Sequence, residues 1–272
     1  MKGIALGQYY PANSVLHKLD PRIKLILTIL YIVCSFLCKN ILSYALLLLS
    51  AILLIAFGRI PPKLILRGLK PVLFVLVFTA ILNIFWTRGE VPLVEWYFIK
   101  IYKEGIYAAI FIIIRISALI IGTGMLLTYT TTPIALTNAI EDLLSPLKVL
   151  HVPVHSFAMM MTIALRFIPT LAEETDRIMT AQKARGADFS SGGLVSRAKA
   201  LIPVLVPLFV SAFNRAGDLA TAMECRCYNG GEGRTRMTVR HLKFWDFIPL
   251  ILIIAFGTAL VLLNIYGIGY TM

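Results

Sequence analysis

Long apolar runs alternate with short polar punctuation along most of this chain. Five runs approach the length of a bilayer crossing: Ile23 to Leu37, Ile41 to Phe57, Pro71 to Trp86, Ile106 to Thr128 and Phe244 to Tyr266. A hydrocarbon core needs about 20 helical residues, so the pattern predicts an all-α, polytopic membrane protein with about five transmembrane helices. Residues 131–243 read differently. Apolar positions there recur at helical spacing beside charged ones, which predicts long amphipathic helices. The chain therefore divides into N-terminal transmembrane helices over 1–130, a cytoplasmic or interfacial helical domain over 131–243 and a C-terminal transmembrane helix over 244–272.

Composition agrees: 58% of the 272 residues are hydrophobic and only 15% are charged, too apolar for a soluble domain. The first 22 residues carry Tyr9, Tyr10, Pro11, His17, Lys18 and Asp20 without a continuous apolar core, so no cleavable signal is expected. Asp20 and Pro21 suit the cap and first position of the first spanning helix, with Arg22 and Lys24 expected at the interface. The net charge of +12 is unevenly placed. Four basic residues precede or open the first run, one (Lys39) follows it, four (Arg59, Lys63, Arg67, Lys70) precede the third, and three lie before the fourth. Thirteen fall between Thr131 and Lys243, and none follows the last run. By the positive-inside rule, the N-terminus and the 131–243 block face the cytoplasm of a multi-pass cell-membrane protein. The spread over membrane flanks, with no basic stripe, excludes nucleic acid as the partner.

Within the basic block, Ile134 to Leu150 around Pro146 reads as an amphipathic helix on the membrane surface. Ser156 to Gly186 would run about 45 Å if wholly helical, but its apolar half ends at Pro169, too short to span. Leu171, Thr175, Ile178 and Ala181 form a seam leading to Arg185, and Glu173 and Arg177 have i,i+4 spacing. The next segment has the same plan. An apolar stretch, Leu201 to Val210, is broken by Pro203 and Pro207. A wetter half follows, with Ala212, Ala216 and Ala220 as a small-residue row and Leu219, Ala222 and Met223 leading to Arg226. The first segment closes on Ala184-Arg185-Gly186 and the second on Cys225-Arg226-Cys227, each an arginine between two small residues. Arginine's rigid fork can hold a carboxylate or a row of carbonyls, and small neighbours let a partner backbone approach. Superposing the arginines offsets the two segments by 41 residues, with similar polarity but few identities.

Other constellations carry less chemistry. Arg115 and Arg166 are charges in apolar surroundings, and Asp246 sits at the edge of a run, which disfavours a proton relay. Cys34 and Cys38 stand one helical turn apart, and Cys225 and Cys227 lack Cys-x-x-Cys spacing, so free thiols are expected. Pro153 between His151 and His155 argues against a metal site. Glu173-Glu174-Thr175-Asp176-Arg177 falls one residue short of the Glu-Glu-x-x-x-Arg box of intramembrane proteases. The chain has no phosphate-binding Gly-x-x-x-x-Gly-Lys-Ser/Thr loop.

The run Leu16-His17-Lys18-Leu19-Asp20-Pro21-Arg22-Ile23-Lys24-Leu25, the segment Leu165-Arg166-Phe167-Ile168-Pro169 followed by acidic residues, and Ala184-Arg185-Gly186 together resemble the transmembrane T component (EcfT) of energy-coupling factor transporters. These are ABC-type importers of vitamins and metal ions. The resemblance implies a non-catalytic subunit with no cofactor of its own, ATP being bound by partner subunits. It implies two long coupling helices crossing as an X, each ending in an Ala-Arg-Gly motif that docks one of two ABC ATPases. Ala184, Arg185 and Gly186 match that motif, while Cys225, Arg226 and Cys227 keep only the arginine. Helix termination at the second end is then expected to pass to Gly230 and Gly231. The resemblance further implies an interchangeable substrate-binding S component. The surface suited to it holds Phe157, Met159, Met160 and Met161 with Leu205, Leu208 and Phe209, since unbranched methionines repack against differently shaped partners. A conventional ABC permease lining its own substrate path, or a membrane-embedded enzyme, are the alternatives.

Overall fold

The computed structural model describes residues 9–87, 92–96, 99–150, 153–189, 193–230 and 242–266. It is an all-α, polytopic architecture. Helices α1 (Val15–Lys18), α2 (Pro21–Leu37), α3 (Ile41–Gly58), α4 (Pro62–Trp86) and α5 (Lys103–Thr123) come first, and α5 runs on through a π turn at Gly124–Thr128. Then follow α6 (Pro133–Leu143), a 3-10 turn at Ser145–Leu150, α7 (Val154–Ala184), α8 (Leu194–Glu224), a 3-10 turn at Phe244–Asp246 and α9 (Phe247–Ile265). Among the described residues there is one small addition to the helices. A two-stranded antiparallel ribbon, β1 (Pro92–Trp96) with β2 (Ile99–Tyr102), lies between α4 and α5, pairing Val94 with Ile101 and Glu95 with Lys100.

All five expected spans are helices. Six helices among the described residues are long and apolar enough to cross a bilayer: α3, α4, α5 with its π turn, α7, α8, and α9 with its preceding turn. Helix α2, at 17 residues, is slightly shorter. The inclusion of α7 and α8 departs from the expectation that Pro169 ends an apolar half-helix and that Pro203 and Pro207 break the second. Each helix instead continues unbroken for 31 residues. A proline removes one backbone donor, and continuous helix on both sides holds the remaining bonds in place. At 1.5 Å per residue, each helix is about 46 Å long.

The chain forms two compact units, one of Met1–Leu6 with Ile140–Val239 and one of Gly7–Ala139 with Arg240–Met272. In the second, membrane unit, α2 packs against α5 and α9, and α5 also against α3 and α4. Its core gathers Leu19, Ile23, Leu27, Tyr31, Leu47, Phe111, Ala118, Leu126 and Leu260. Close approach depends on small residues, since helices in lipid gain little from burying apolar area against each other. A Cβ placed on Gly122 would lie 2.0 Å from the Tyr31 ring. That ring is pinned there by hydrogen bonds of 3.4 Å from its hydroxyl to Ser50 and to the Ala118 carbonyl.

Polar contacts concentrate at the two ends of this unit. At one end, Asp20 caps α2 by accepting from the Arg22 N–H at 2.9 Å, as its sequence position suggests. Lys24, however, is not at the interface: it is 2% exposed, and its ammonium donates to the Thr130 carbonyl at 2.9 Å and to the Thr131 hydroxyl at 3.3 Å. Its long stem lies in the core, and the charge is met where α5 runs out of helical partners for its carbonyls. At the other end, Asn264 donates to the Leu37 carbonyl at 2.6 Å and Asn40, the residue before α3, to the Leu263 carbonyl at 3.1 Å, so α9 and the α2–α3 junction cap each other. Arg115 donates there to the Cys38 carbonyl at 2.9 Å and to the Tyr44 hydroxyl, and lies over the Tyr44 ring.

Replacement of Gly122 by alanine should force Tyr31 out of its seat at a cost of roughly 1 to 3 kcal/mol, the range for overpacking. Thermal unfolding of the purified protein in detergent should show a midpoint several degrees lower, with Gly122→Leu failing to accumulate. An unchanged midpoint for Gly122→Ala would mean that α2 and α5 are not in close contact there.

Candidate functional site

The candidate site lies wholly within the unit formed by α7 and α8. The two helices cross where Glu174 of α7 accepts from Arg215 of α8 at 2.5 Å and from the Ser211 hydroxyl at 2.6 Å. Beside the crossing, Ile163, Phe167 and Leu171 of α7 face Ala212, Ala216, Leu219, Ala220 and Met223 of α8 across a cleft of about 300 Å³. Residues before the crossing on α7 thus meet residues after it on α8, and the helices run in opposite senses. The alanine row provides the room for this approach. Glu174 and Arg215 are 41 residues apart, as are Arg185 and Arg226.

That coincidence fixes the geometry of the two ends. Each arginine stands 11 residues beyond its crossing residue. Eleven residues make about three turns, so each arginine returns to within roughly 20° of the face that carries the crossing, some 16 Å further along. The two arms beyond the crossing are equal in length.

Their ends are built alike as well. After α7, Gly186 takes φ +89°, its N–H donating to the Lys183 carbonyl at 3.0 Å and that of Ala187 to the Gln182 carbonyl at 3.0 Å. This is the Schellman arrangement, in which a left-handed residue after the cap turns the chain back over the final carbonyls. After α8, Cys227 takes φ +56°, its N–H donating to Glu224 at 2.8 Å and that of Tyr228 to Met223 at 3.1 Å. The hydrogen bonds correspond one for one. Termination therefore occurs at Cys227 and does not pass to Gly230, while Gly231 lies outside the described residues. Arg185 and Arg226 occupy the equivalent cap position at each end and are exposed, as are Ala184, Gly186, Cys225 and Cys227.

The apolar positions noted in the sequence are also on the surface of these helices. Phe157, Met160, Met161, Leu205 and Phe209 are each more than 40% exposed, whereas Met159 and Leu208 are half-buried. Glu173 and Arg177 are exposed, and Arg166 lies on the surface of α7. His155 hydrogen-bonds Glu141 at 3.0 Å across the α6–α7 turn, and His151 lies outside the described residues. All four cysteines are free, Cys34 and Cys38 buried and Cys225 and Cys227 exposed. Among the described residues no group of acidic, histidine and cysteine side chains is placed to hold a metal. Glu174, Arg215 and Lys24 acquire roles that the sequence reading did not assign. The 41-residue offset was the available signal for the first two, because it maps Glu174 onto Arg215.

Cys227 holds a backbone conformation that costs a residue with a Cβ about 1 to 2 kcal/mol. Cys227→Gly should therefore stabilise the end of α8 and leave any docking function intact. A β-branched Cys227→Val should fray the last turn, seen as faster amide exchange at Cys225 to Tyr228 by mass spectrometry. Equal exchange in all three proteins would refute the cap described for α8.

The model of a family described as "CbiQ: Cobalt transport protein" matches residues 12–237. Among curated proteins, the chain is 56% identical over 251 residues to the energy-coupling factor transporter transmembrane protein EcfT of Ruminiclostridium cellulolyticum, covering 92% of each chain. It is 51% identical over 249 residues to the protein of that name from Clostridium kluyveri, covering 91% of this chain and 92% of the relative. With the Bacillus subtilis EcfT it shares 50% identity over 236 residues, 87% of this chain and 89% of the relative. A family match over most of its length, relatives at these identities and a many-helix membrane architecture agree: the chain belongs to the CbiQ/EcfT family, the transmembrane T components of energy-coupling factor transporters.

Proposed function

We propose that this protein couples two cytoplasmic ABC ATPase subunits to an interchangeable, substrate-binding S component, and that Arg185 and Arg226 are its two points of attachment to the ATPases. The observation that carries this reading is the equivalence of the two helix ends. Two arginines at the same cap position, on arms of equal length from a shared crossing, suit two similar sockets on a pair of ATPases. An exposed guanidinium at a helix end can give a partner several charge-assisted hydrogen bonds in a fixed plane. A continuous helix of 31 residues is stiff enough to carry a displacement from that end to the crossing. ATP is held by the partners; this chain supplies levers.

Membrane orientation supports the same arrangement. The start of α4 and the end of α3 meet the π turn of α5 through Ile60, Ile65 and Met125, so Arg59 and Lys63 lie at the end of the membrane unit that also carries Arg22. A basic end of the membrane unit facing the cytoplasm fits a partner on that side. The exposed apolar residues Phe157, Met160, Met161, Leu205 and Phe209, with Met159 and Leu208 beside them, form the surface for the S component. An apolar area of this kind marks an interaction surface, and flexible methionines accommodate more than one partner.

Arg185→Ala and Arg226→Ala should each weaken ATPase co-purification by about tenfold to a hundredfold, since a hydrogen bond to a charged group contributes about 1.5 to 3 kcal/mol. The double mutant should lose assembly and uptake, while the isolated ATPase pair keeps its basal hydrolysis. Lysine at either position should rescue only in part, because it keeps charge without the planar fork. Wild-type assembly by the double alanine mutant would overturn the proposal.

A second experiment addresses the other partner. Met160→Asp with Met161→Asp puts charge into the apolar surface and should release the S component while both ATPases remain bound, as pull-downs through a tagged ATPase would record. Parallel loss of ATPases and S component would show instead that the two methionines belong to the fold of α7.

A further inference from the structure

Asn40 stands at the N-cap of α3, where a side-chain oxygen ordinarily accepts an N–H from the first turn. It makes no such bond. Its amide nitrogen donates instead to the Leu263 carbonyl at 3.1 Å, and its Oδ1 is buried without a hydrogen-bond partner among the described residues. Three more buried atoms in the same condition lie around this α2–α3 junction. Asn264 of α9 uses its amide nitrogen on the Leu37 carbonyl at 2.6 Å, which leaves its Oδ1. Arg115 of α5 uses Nη2 on the Cys38 carbonyl and the Tyr44 hydroxyl, which leaves its Nε. Ser43, in the first turn of α3, leaves its hydroxyl. Asn40 and Ser43 are both 0% exposed, so bulk solvent does not serve them. Elsewhere among the described residues such atoms stand singly, at Glu104 and His155.

The chemistry of the four groups defines what would satisfy them. In each asparagine the atom facing a backbone carbonyl must be the nitrogen, since two oxygens would repel, so the remaining atom is an acceptor. The Arg115 Nε–H can only donate, and a serine hydroxyl can do either. An anion placed here would meet two amide oxygens, and a cation would meet a guanidinium. A small neutral molecule that accepts twice and donates twice meets all four. Buried polar groups sealed from solvent are commonly joined by a water with about three hydrogen bonds. Left unmet, each group would carry its full desolvation penalty at one junction, within a structure that spans lipid.

We infer that this junction is a built site for ordered water, which accepts from Arg115 Nε and the Ser43 hydroxyl and donates to the Oδ1 atoms of Asn40 and Asn264. Through it, α3, α5 and α9 are bonded to one another where α2 turns into α3. The site lies wholly within the membrane unit and is independent of the coupling role proposed above.

The test is radiolytic hydroxyl labelling of the full-length chain in lipid nanodiscs, read by mass spectrometry. Radicals form at bound water, so a buried ring beside one is oxidised while an equally buried ring without one is spared. Tyr44, whose hydroxyl accepts from Arg115, is 5% exposed; Tyr31 at 3% and Tyr129 at 4% are the controls. Tyr44 should be labelled several times faster than either. Ser43→Val, which removes one hydrogen bond and fills the space with methyl groups, should bring Tyr44 down to the control rate while Tyr31 and Tyr129 stay unchanged. Ser43→Ala, which serves if the valine variant does not fold, should lower the Tyr44 rate part of the way. Labelling of Tyr44 at the control rate in the parent, or at the parent rate in the folded Ser43 variant, would overturn the inference. A Tyr44 rate that rises when chloride is replaced by gluconate would mean that an anion holds the site, and would overturn it too.

Discussion

The terminal carbonyls of a helix have no partners of their own, and in lipid they have no water either; much of this structure follows from how those groups are satisfied. The membrane unit does it with side chains from other helices. Lys24 of α2 reaches the exit of α5, Arg115 of α5 reaches the Cys38 carbonyl after α2, and Asn40 and Asn264 exchange caps between the α2–α3 junction and α9. Apolar contact between helices gives little advantage over contact with lipid tails, so these long-range caps also fix the helices relative to one another. Arg115, which looks like an isolated intramembrane charge, and Lys24, which looks like an interfacial one, are parts of that scheme. Their cost in desolvation is offset by bonds that no nearby residue could make.

The α7–α8 unit solves the same problem locally. Both of its helix ends close through a left-handed residue, leaving each cap arginine free to face outwards. Gly186 adopts this conformation without penalty, whereas Cys227 does so with strain, so the correspondence of the two ends is imposed by the backbone and not by residue identity. A pair of helices meeting at equivalent positions is close to two-fold symmetric, although the sequences that build it share few residues. Glu174, held by both Arg215 and Ser211, marks the point where the two arms meet.

Large apolar side chains on α7 and α8 remain at the surface, including Phe209 and Phe213, whose rings stack on each other. Exposure on this scale marks a chain that completes its surface with lipid and other subunits. The membrane unit carries the polar long-range links, and the α7–α8 unit carries the exposed apolar side chains and the two arginine ends.

The spans, the cap at Asp20 and the two arginine endings were legible in the sequence, because hydropathy runs, capping residues and small-residue motifs act through local geometry and solvent preference. The family, too, was readable from three short motifs, Leu16 to Leu25, Leu165 to Pro169 and Ala184 to Gly186. Tertiary structure decided the rest. Pro203 and Pro207 read as breaks and Pro169 as the end of an apolar half too short to span, but a proline forfeits only one hydrogen bond and surrounding helix tolerates it. Lys24 read as an interfacial cation, since nothing local reveals that the carbonyl it serves belongs to Thr130. Cys227 read as a weakened glycine position, yet the hydrogen bonds of the last turn hold it in a glycine's conformation. The pairing of Glu174 with Arg215 was implicit in a 41-residue offset, but only the crossing of two helices could turn equal spacing along the chain into contact.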